Sequence, residues 1–193
     1  MITHLRGKLV EKNPTHVIIE CAGVGYFVNI SLYTYSLLRD EEQVLLYTHL
    51  QVREDAHTLF GFAERQEREI FRLLLLVSGI GASTARTMLS SLSPVQVRDA
   101  IANGNVPLIQ AVKGIGAKTA QRVILDLKDK VLKIQGMAEV SPDSNNTNKE
   151  EALSALEVLG FVRKQAEKAV DRALEGDSAL SVEDIIKQAL KNL

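Results

Sequence analysis

Residues 79–86 read GIGASTAR and residues 114–121 read GIGAKTAQ, one eight-residue phrase repeated at an offset of 35 with six positions identical. An apolar run precedes each copy, LLLLVS at 73–78 and LIQAVK at 108–113. Apolar residues at helical spacing follow each, Met88 and Leu89 after the first, Val123 and Ile124 after the second. The repeated unit is therefore helix, Gly-x-Gly turn, helix.

That unit has a definite chemistry. Gly79 with Gly81, and Gly114 with Gly116, permit a hairpin that bulkier residues would strain. The helix that follows begins at once, so its first N–H groups lack intrahelical partners. Those donors and the helix dipole form an anion site suited to phosphate. Ala85 and Ala120 are small enough for the two helices to approach closely. Ser83 and, in the second copy, Lys118 stand beside the turns as further contacts. Contacts of this kind hold a nucleic-acid backbone without reading its bases.

Other glycine motifs fit less well. A dinucleotide fingerprint needs a preceding strand and a third glycine, and here a helix precedes. GIGAKT resembles a phosphate loop, but Ala117 stands where that loop requires glycine. A plain helix–helix turn explains one copy as well as phosphate binding does. Two copies inside the only basic segment favour phosphate.

Working outward, residues 63–79 (AERQEREIFRLLLLVSG) predict a helix ending at Gly79. Residues 93–104 (SPVQVRDAIANG) predict another, with Ser93 as N-cap, Pro94 at the first helical position and Gln96 completing a capping box. Residues 117–134 predict a longer helix with Val123, Ile124, Leu127, Val131 and Leu132 on one face. Upstream, Leu5–Val10, Val17–Cys21, Tyr26–Ile30, Val44–Val52 and His57–Phe62 read as five short strands, with a helical piece at 31–38. The second and third strands are joined as a glycine-bearing hairpin. Five strands in about sixty residues suggest a small closed barrel, an OB-fold foremost and an SH3-like barrel as the alternative. Residues 135–148 (QGMAEVSPDSNNTN) read as a flexible linker. Three helical runs follow at 149–160, 163–176 and 181–193, a small bundle with Leu153, Leu156, Leu159 and Phe161 expected in its core. The expected organisation is α+β and multidomain: a five-stranded OB-fold barrel over 1–63, tandem helix-hairpin-helix motifs over 64–134, the linker, and a three-helix bundle over 149–193.

Charge follows these divisions. Residues 1–63 carry 5 Lys/Arg and 7 Asp/Glu, residues 64–134 carry 11 and 6, and residues 135–193 carry 7 and 11. The net charge of -1 thus hides a basic middle between acidic ends, the distribution expected of a phosphate-binding segment. A single cysteine, Cys21, can form no intrachain disulfide and reads as a buried strand residue rather than a nucleophile. His4, His16, His49 and His57 show no metal-ligand spacing. No nucleotide loop, nucleophile–base pair or acidic metal cluster is visible, so neither catalysis nor a cofactor is expected. The start MITHLRGKL has no signal-peptide pattern, and LLLLV at 73–77 is too short to span a bilayer. A cytoplasmic protein without membrane partners is expected.

Several stretches resemble the bacterial RuvA family: MITHLRGK (1–8), AGVGYFV (22–28), THLQVREDAHTLFGF (48–62), the tandem GIG motifs and EALSALEVLGF (151–161). The resemblance spans the whole chain, and VREDA followed by LFGF is its most specific part. It implies a protein that binds four-way (Holliday) junction DNA as a homotetramer, with the barrels at its centre and the hairpins on the four arms. It leaves one or two tetramers per junction open. It further implies recruitment of the RuvB ATPase through residues 149–193, with the RuvC resolvase as another partner, in branch migration during recombination and repair. On this resemblance Glu54 and Asp55 form an acidic pin at the junction centre, where carboxylates repel phosphates and guide strands apart. Arg53 beside them becomes a phosphate contact, as do Lys118 and Thr119 in the second hairpin and Arg122 and Arg86 beyond the turns. The chain departs from the family at Ser83 and Ala117, where a basic residue is frequent.

On the residues alone, other classes stay open. Glu54 and Asp55 could belong to a structure-selective nuclease needing Mg²⁺, or to an ordinary acidic turn. Arg86 and Arg122 could be solvated surface charges. The C-terminal bundle could be the working end of a protein-interaction adaptor.

Overall fold

Strand β1 (His4–Lys12) pairs antiparallel with β2 (His16–Cys21), which turns back into β3 (Val24–Ile30) through Ala22 and Gly23 alone. Both turn residues lie in the left-handed region, at φ 50° and 84°, as the right-handed twist of a two-residue hairpin demands. Helix α1 (Leu32–Leu37) follows, capped by the Ser31 side chain, and leads to β4 (Gln43–Val52) and β5 (His57–Phe62). These elements belong to the computed structural model, which describes residues 1–39, 42–138, 144–176 and 180–192.

The sheet closes in the order β1-β2-β3-β5-β4, with β4 returning to β1. Only β3 and β5 run parallel. The expected OB-like barrel is thus the observed one. Val17, Ile19, Val28, Ile30 and Leu46 alternate inward along their strands and fill it.

The helical half contains α2 (Arg65–Leu75), α3 (Ala82–Ser91), α4 (Pro94–Ala102), α5 (Val106–Gln110) and α6 (Ala117–Ala138). Ser93 and Gln96 form the predicted capping box at the start of α4. Asn103 and Gly104 end it, with Asn105 N donating to Ala100 O at 2.8 Å. Phe71, Leu74, Met88, Leu89, Ile101, Ile109 and Leu127 form a core that is continuous with Phe60 and Phe62 of β5. Each such side chain contributes about 1.5–3 kcal/mol through burial. Barrel and helices therefore share one compact unit, residues 1–134.

Two local expectations over this unit need correction. Helix α2 ends at Leu75 rather than Gly79, because its last turn tightens: Leu76 N and Val77 N each bond a carbonyl three residues back. On α6, Val123, Leu127 and Val131 are fully buried, whereas Leu132 is 47% exposed. It stands one residue, about 100° of helix, beyond the buried stripe.

The second unit, residues 135–193, holds α7 (Ser144–Val158), α8 (Arg163–Gly176) and α9 (Val182–Lys191) around a core of Leu153, Leu156, Val170 and Ile185. Phe161 packs against that core, but Leu159 is 60% exposed, contrary to expectation. Phe161 N bonds Leu156 O, Gly160 N bonds Glu157 O, and Gly160 has φ 98°. This is a Schellman end. It folds Phe161 back onto the core and leaves Leu159, the residue before the glycine, facing out. The stretch 135–148 read as a linker carries helix at both ends, and its residues 139–143 lie outside the described ones.

Candidate nucleic-acid interface

The two GIG turns have the same construction, bond for bond. Ile80 N donates to Val77 O at 3.0 Å and Ile115 N to Val112 O at 3.1 Å. Ile80 and Ile115 are buried and nail each turn to the core. Gly79 and Gly114 take φ 95° and 90°. The first intrahelical bonds are Ala85 N to Gly81 O and Ala120 N to Gly116 O, both 2.9 Å.

Only the first glycine of each pair is needed for backbone conformation. Gly81 is extended, at φ -92° and ψ 170°, and Gly116 is likewise not at positive φ. The expectation that both glycines relieve strain is corrected accordingly. A Cβ at Gly81 or Gly116 would meet no protein atom within 4 Å. The second glycines therefore leave open space on the outer side of the turn, over the start of the next helix. Gly81 supplies no side-chain cap to α3, and glycine at 116 can supply none to α6. The leading N–H groups of both helices remain available to an anion.

Ser83 and Lys118 occupy matching second positions on α3 and α6, and both are exposed. Thr119 is half-buried. Its match in the first copy at the 35-residue offset is Thr84, likewise half-buried. Ser78 and Lys113 also match, so serines flank the first turn and lysines the second. Positive charge is concentrated on the second hairpin.

The hairpins touch. Thr119 packs beside Gly79, and Arg122 Nη1 donates to Ser78 O at 3.4 Å. Arg122 is thus exposed but anchored to the first turn. Arg86 points elsewhere: Nη1 donates to Asn29 Oδ1 at 2.8 Å and to Thr15 O at 3.2 Å, on the barrel.

Arg53, Glu54 and Asp55 lie in the four-residue turn joining β4 to β5, closed by Arg53 N donating to Ala56 O at 2.9 Å. All three are exposed. Among the described residues, no third His, Cys, Asp or Glu joins Glu54 and Asp55 as a metal-binding group. His49, further back on β4, packs edge-on to Phe71 with its pKa lowered by burial and by the nearby Arg72 and Arg68. Cys21 is half-buried, and its thiol donates to Arg6 O. Among the described residues no helix is long and apolar enough to cross a membrane.

Sequence reasoning missed one buried acid. Glu67 on α2 is fully buried and accepts hydrogen bonds from Ser31 Oγ and, at 2.5 Å, from Thr34 Oγ1. Burial raises its pKa to about 7, opposed by those two hydrogen bonds, with the nearby Glu64 adding to the rise. It is the third residue of α2, within the charged opening turn, and nothing in the neighbouring sequence signals its burial.

Comparison with known proteins adds an independent finding. Residues 1–61 match the RuvA N-terminal domain, 71–129 a SAM-like helix-hairpin-helix tandem, and 147–193 the RuvA C-terminal domain. The chain is 66% identical to a protein of Christiangramia forsetii and 61% identical to one of Flavobacterium psychrophilum, each over 100% of both chains. A Bacteroides fragilis protein is 46% identical, again over 100% of both. All three are named Holliday junction branch migration complex subunit RuvA.

Proposed function

Because the chain belongs to the RuvA family, we propose that it binds four-way DNA junctions without sequence specificity, holds them open and recruits the RuvB ATPase for branch migration in recombination and repair. The observation that carries this reading is the pair of identically built hairpins. Each presents an uncovered helix start, and the two are packed against each other within the basic segment. Backbone donors of this kind take any phosphate, so the protein recognises arrangement rather than base sequence.

The chain performs no catalysis in this reading; the motor supplies the ATP-driven step. A homotetramer, single or paired, offers each of four arms the same hairpins, and weak phosphate contacts sum over the subunits. Gly79, Gly81, Ser83, Gly114, Gly116, Lys118, Thr119 and Arg122 form the arm-binding surface. Arg53, Glu54 and Asp55 stand at the crossover. The C-terminal residues 149–193 dock the motor. Val158, Leu159 and Val162 favour this, being 85%, 60% and 64% exposed around a single helix end, an apolar cluster of the kind that marks a protein contact. The RuvC resolvase completes the set of partners, and the complex works in the cytoplasm.

A titration of the full chain against a synthetic four-way junction and a linear duplex of equal length, without and with Mg²⁺, tests the reading. Preference for the junction with strands intact is expected. Equal binding to both would reduce the protein to a general duplex binder, and Mg²⁺-dependent cleavage would favour a nuclease at Glu54 and Asp55.

A further inference from the structure

The repeat diverges at its last position, where Arg86 of the first copy matches Gln121 of the second. Gln121 is exposed. Arg86 is bound to the barrel at Asn29 Oδ1 and Thr15 O. Asn29 is itself aimed: its Nδ2 donates to Leu59 O at 3.3 Å across the parallel β3–β5 pair, which turns Oδ1 toward the guanidinium. A charged donor to a fixed neutral acceptor is among the stronger hydrogen bonds available at a half-buried site.

The same corner of the barrel holds the other helix of the first hairpin. Residues 29–34 run from the end of β3 into α1. Within them Ser31 and Thr34 grip Glu67 of α2, Tyr33 Oη donates to Glu64 at 3.0 Å, and Leu32 N donates to Ser90 Oγ of α3 at 3.1 Å. Both helices flanking the first turn, α2 and α3, are therefore seated on one six-residue segment.

We propose that Arg86 is a positioning residue: it seats the first hairpin on the β3–α1 corner through Asn29, and so fixes that hairpin's pose on the barrel, rather than touching phosphate. The proposal rests on the junction-binding reading for its consequence. A rigid pose matters for a substrate with four arms at set angles and much less for a single duplex, which can rotate to meet one hairpin.

The test uses the full chain as wild type, Arg86→Gln, Asn29→Ala, Asn29→Asp and Arg86→Gln with Asn29→Ala. Binding to junction and duplex is titrated over a range of salt, and hydrogen exchange is followed over residues 82–91. Arg86→Gln and Asn29→Ala should each lower junction preference by about tenfold, and the double variant should be no worse than either, as expected for one shared contact. Duplex affinity and its salt slope should stay unchanged. Asn29→Asp, which keeps an acceptor for Arg86, should retain the preference. A salt slope reduced by about one in Arg86→Gln, with Asn29→Ala silent, would make Arg86 a phosphate contact. Unchanged preference in both single variants would remove the strut from function. If wild type shows no junction preference, the junction reading fails on its own. Faster exchange over 82–91 in Arg86→Gln and Asn29→Ala then still supports the strut, and unchanged exchange overturns it.

Discussion

Thr119 of the second hairpin lies against the turn of the first, its Cγ2 and Oγ1 both 3.8 Å from where a Cβ on Gly79 would stand. Three residues further along α6, Arg122 reaches Ser78 O at the same turn. The two helix starts are therefore neighbours held together by side chains of the second copy. Two adjacent anion sites held in a fixed relation can engage two phosphates of one duplex, whereas a lone turn holds one phosphate with no direction.

The glycines of each pair should fail differently. Gly79→Ala puts a side chain at φ 95° and should cost about 1–2 kcal/mol of stability. Gly81→Ala meets neither strain nor a neighbour, so stability should stay within about 0.5 kcal/mol. Its methyl group would nonetheless stand over the α3 donors, and junction affinity should fall by about tenfold. Thermal melts paired with junction titrations read both effects. Wild-type binding by Gly81→Ala and Gly116→Ala together would take the helix starts out of the site.

Salt dependence should separate the hairpins. Lys113 and Lys118 flank the second turn, where Ser78 and Ser83 flank the first. Each lysine that meets a phosphate contributes a salt slope of about 0.9 on duplex DNA. Replacing both lysines by serine should lower the slope by about two, and replacing Ser78 and Ser83 by lysine should raise it. Slopes that do not respond to either pair would place the binding charge elsewhere on the basic segment.

Glu54→Gln with Asp55→Asn should leave junction binding intact or tighten it, because two carboxylates that repel phosphate are removed from an exposed turn. Branch migration by the motor should change in rate. A large loss of binding in the double variant contradicts repulsion and assigns these carboxylates an attractive role.

Glu67 predicts a pH dependence of stability. Its folded pKa of about 7 lies above the ordinary 4.5. The folded state therefore binds the extra proton between those values, and stability falls as pH rises. The contribution is fully present below pH 4.5 and lost through pH 7. At about 1.4 kcal/mol per pKa unit the loss is about 3 kcal/mol. Glu67→Gln should flatten the profile between pH 5 and 8 in denaturant titrations of the 1–134 transition. An equal slope in wild type and variant would show that another group carries it.

Periodicity, caps and the internal repeat lie in short windows of sequence, and short windows are enough for local structure. Strand alternation, the Ala22-Gly23 turn, the Ser93 box and the two GIG phrases each depend on residues within a few positions of one another. They led to the barrel and the helices with little error, and to the two hairpin turns on which the phosphate-binding proposal rests. What the windows could not contain was the partner across space. Leu132 and Leu159 have the composition of core residues but stand one step round from a buried stripe or a helix end. Glu67 and Arg86 have the composition of solvated charge. Their roles were decided by Ser31, Thr34 and Asn29, which lie 36, 33 and 57 residues away in the chain. Local sequence sets backbone conformation through sterics and short-range hydrogen bonds, which act over one or two turns. Whether a given polar side chain meets water, phosphate or another part of the protein depends on which distant segment folding brings beside it.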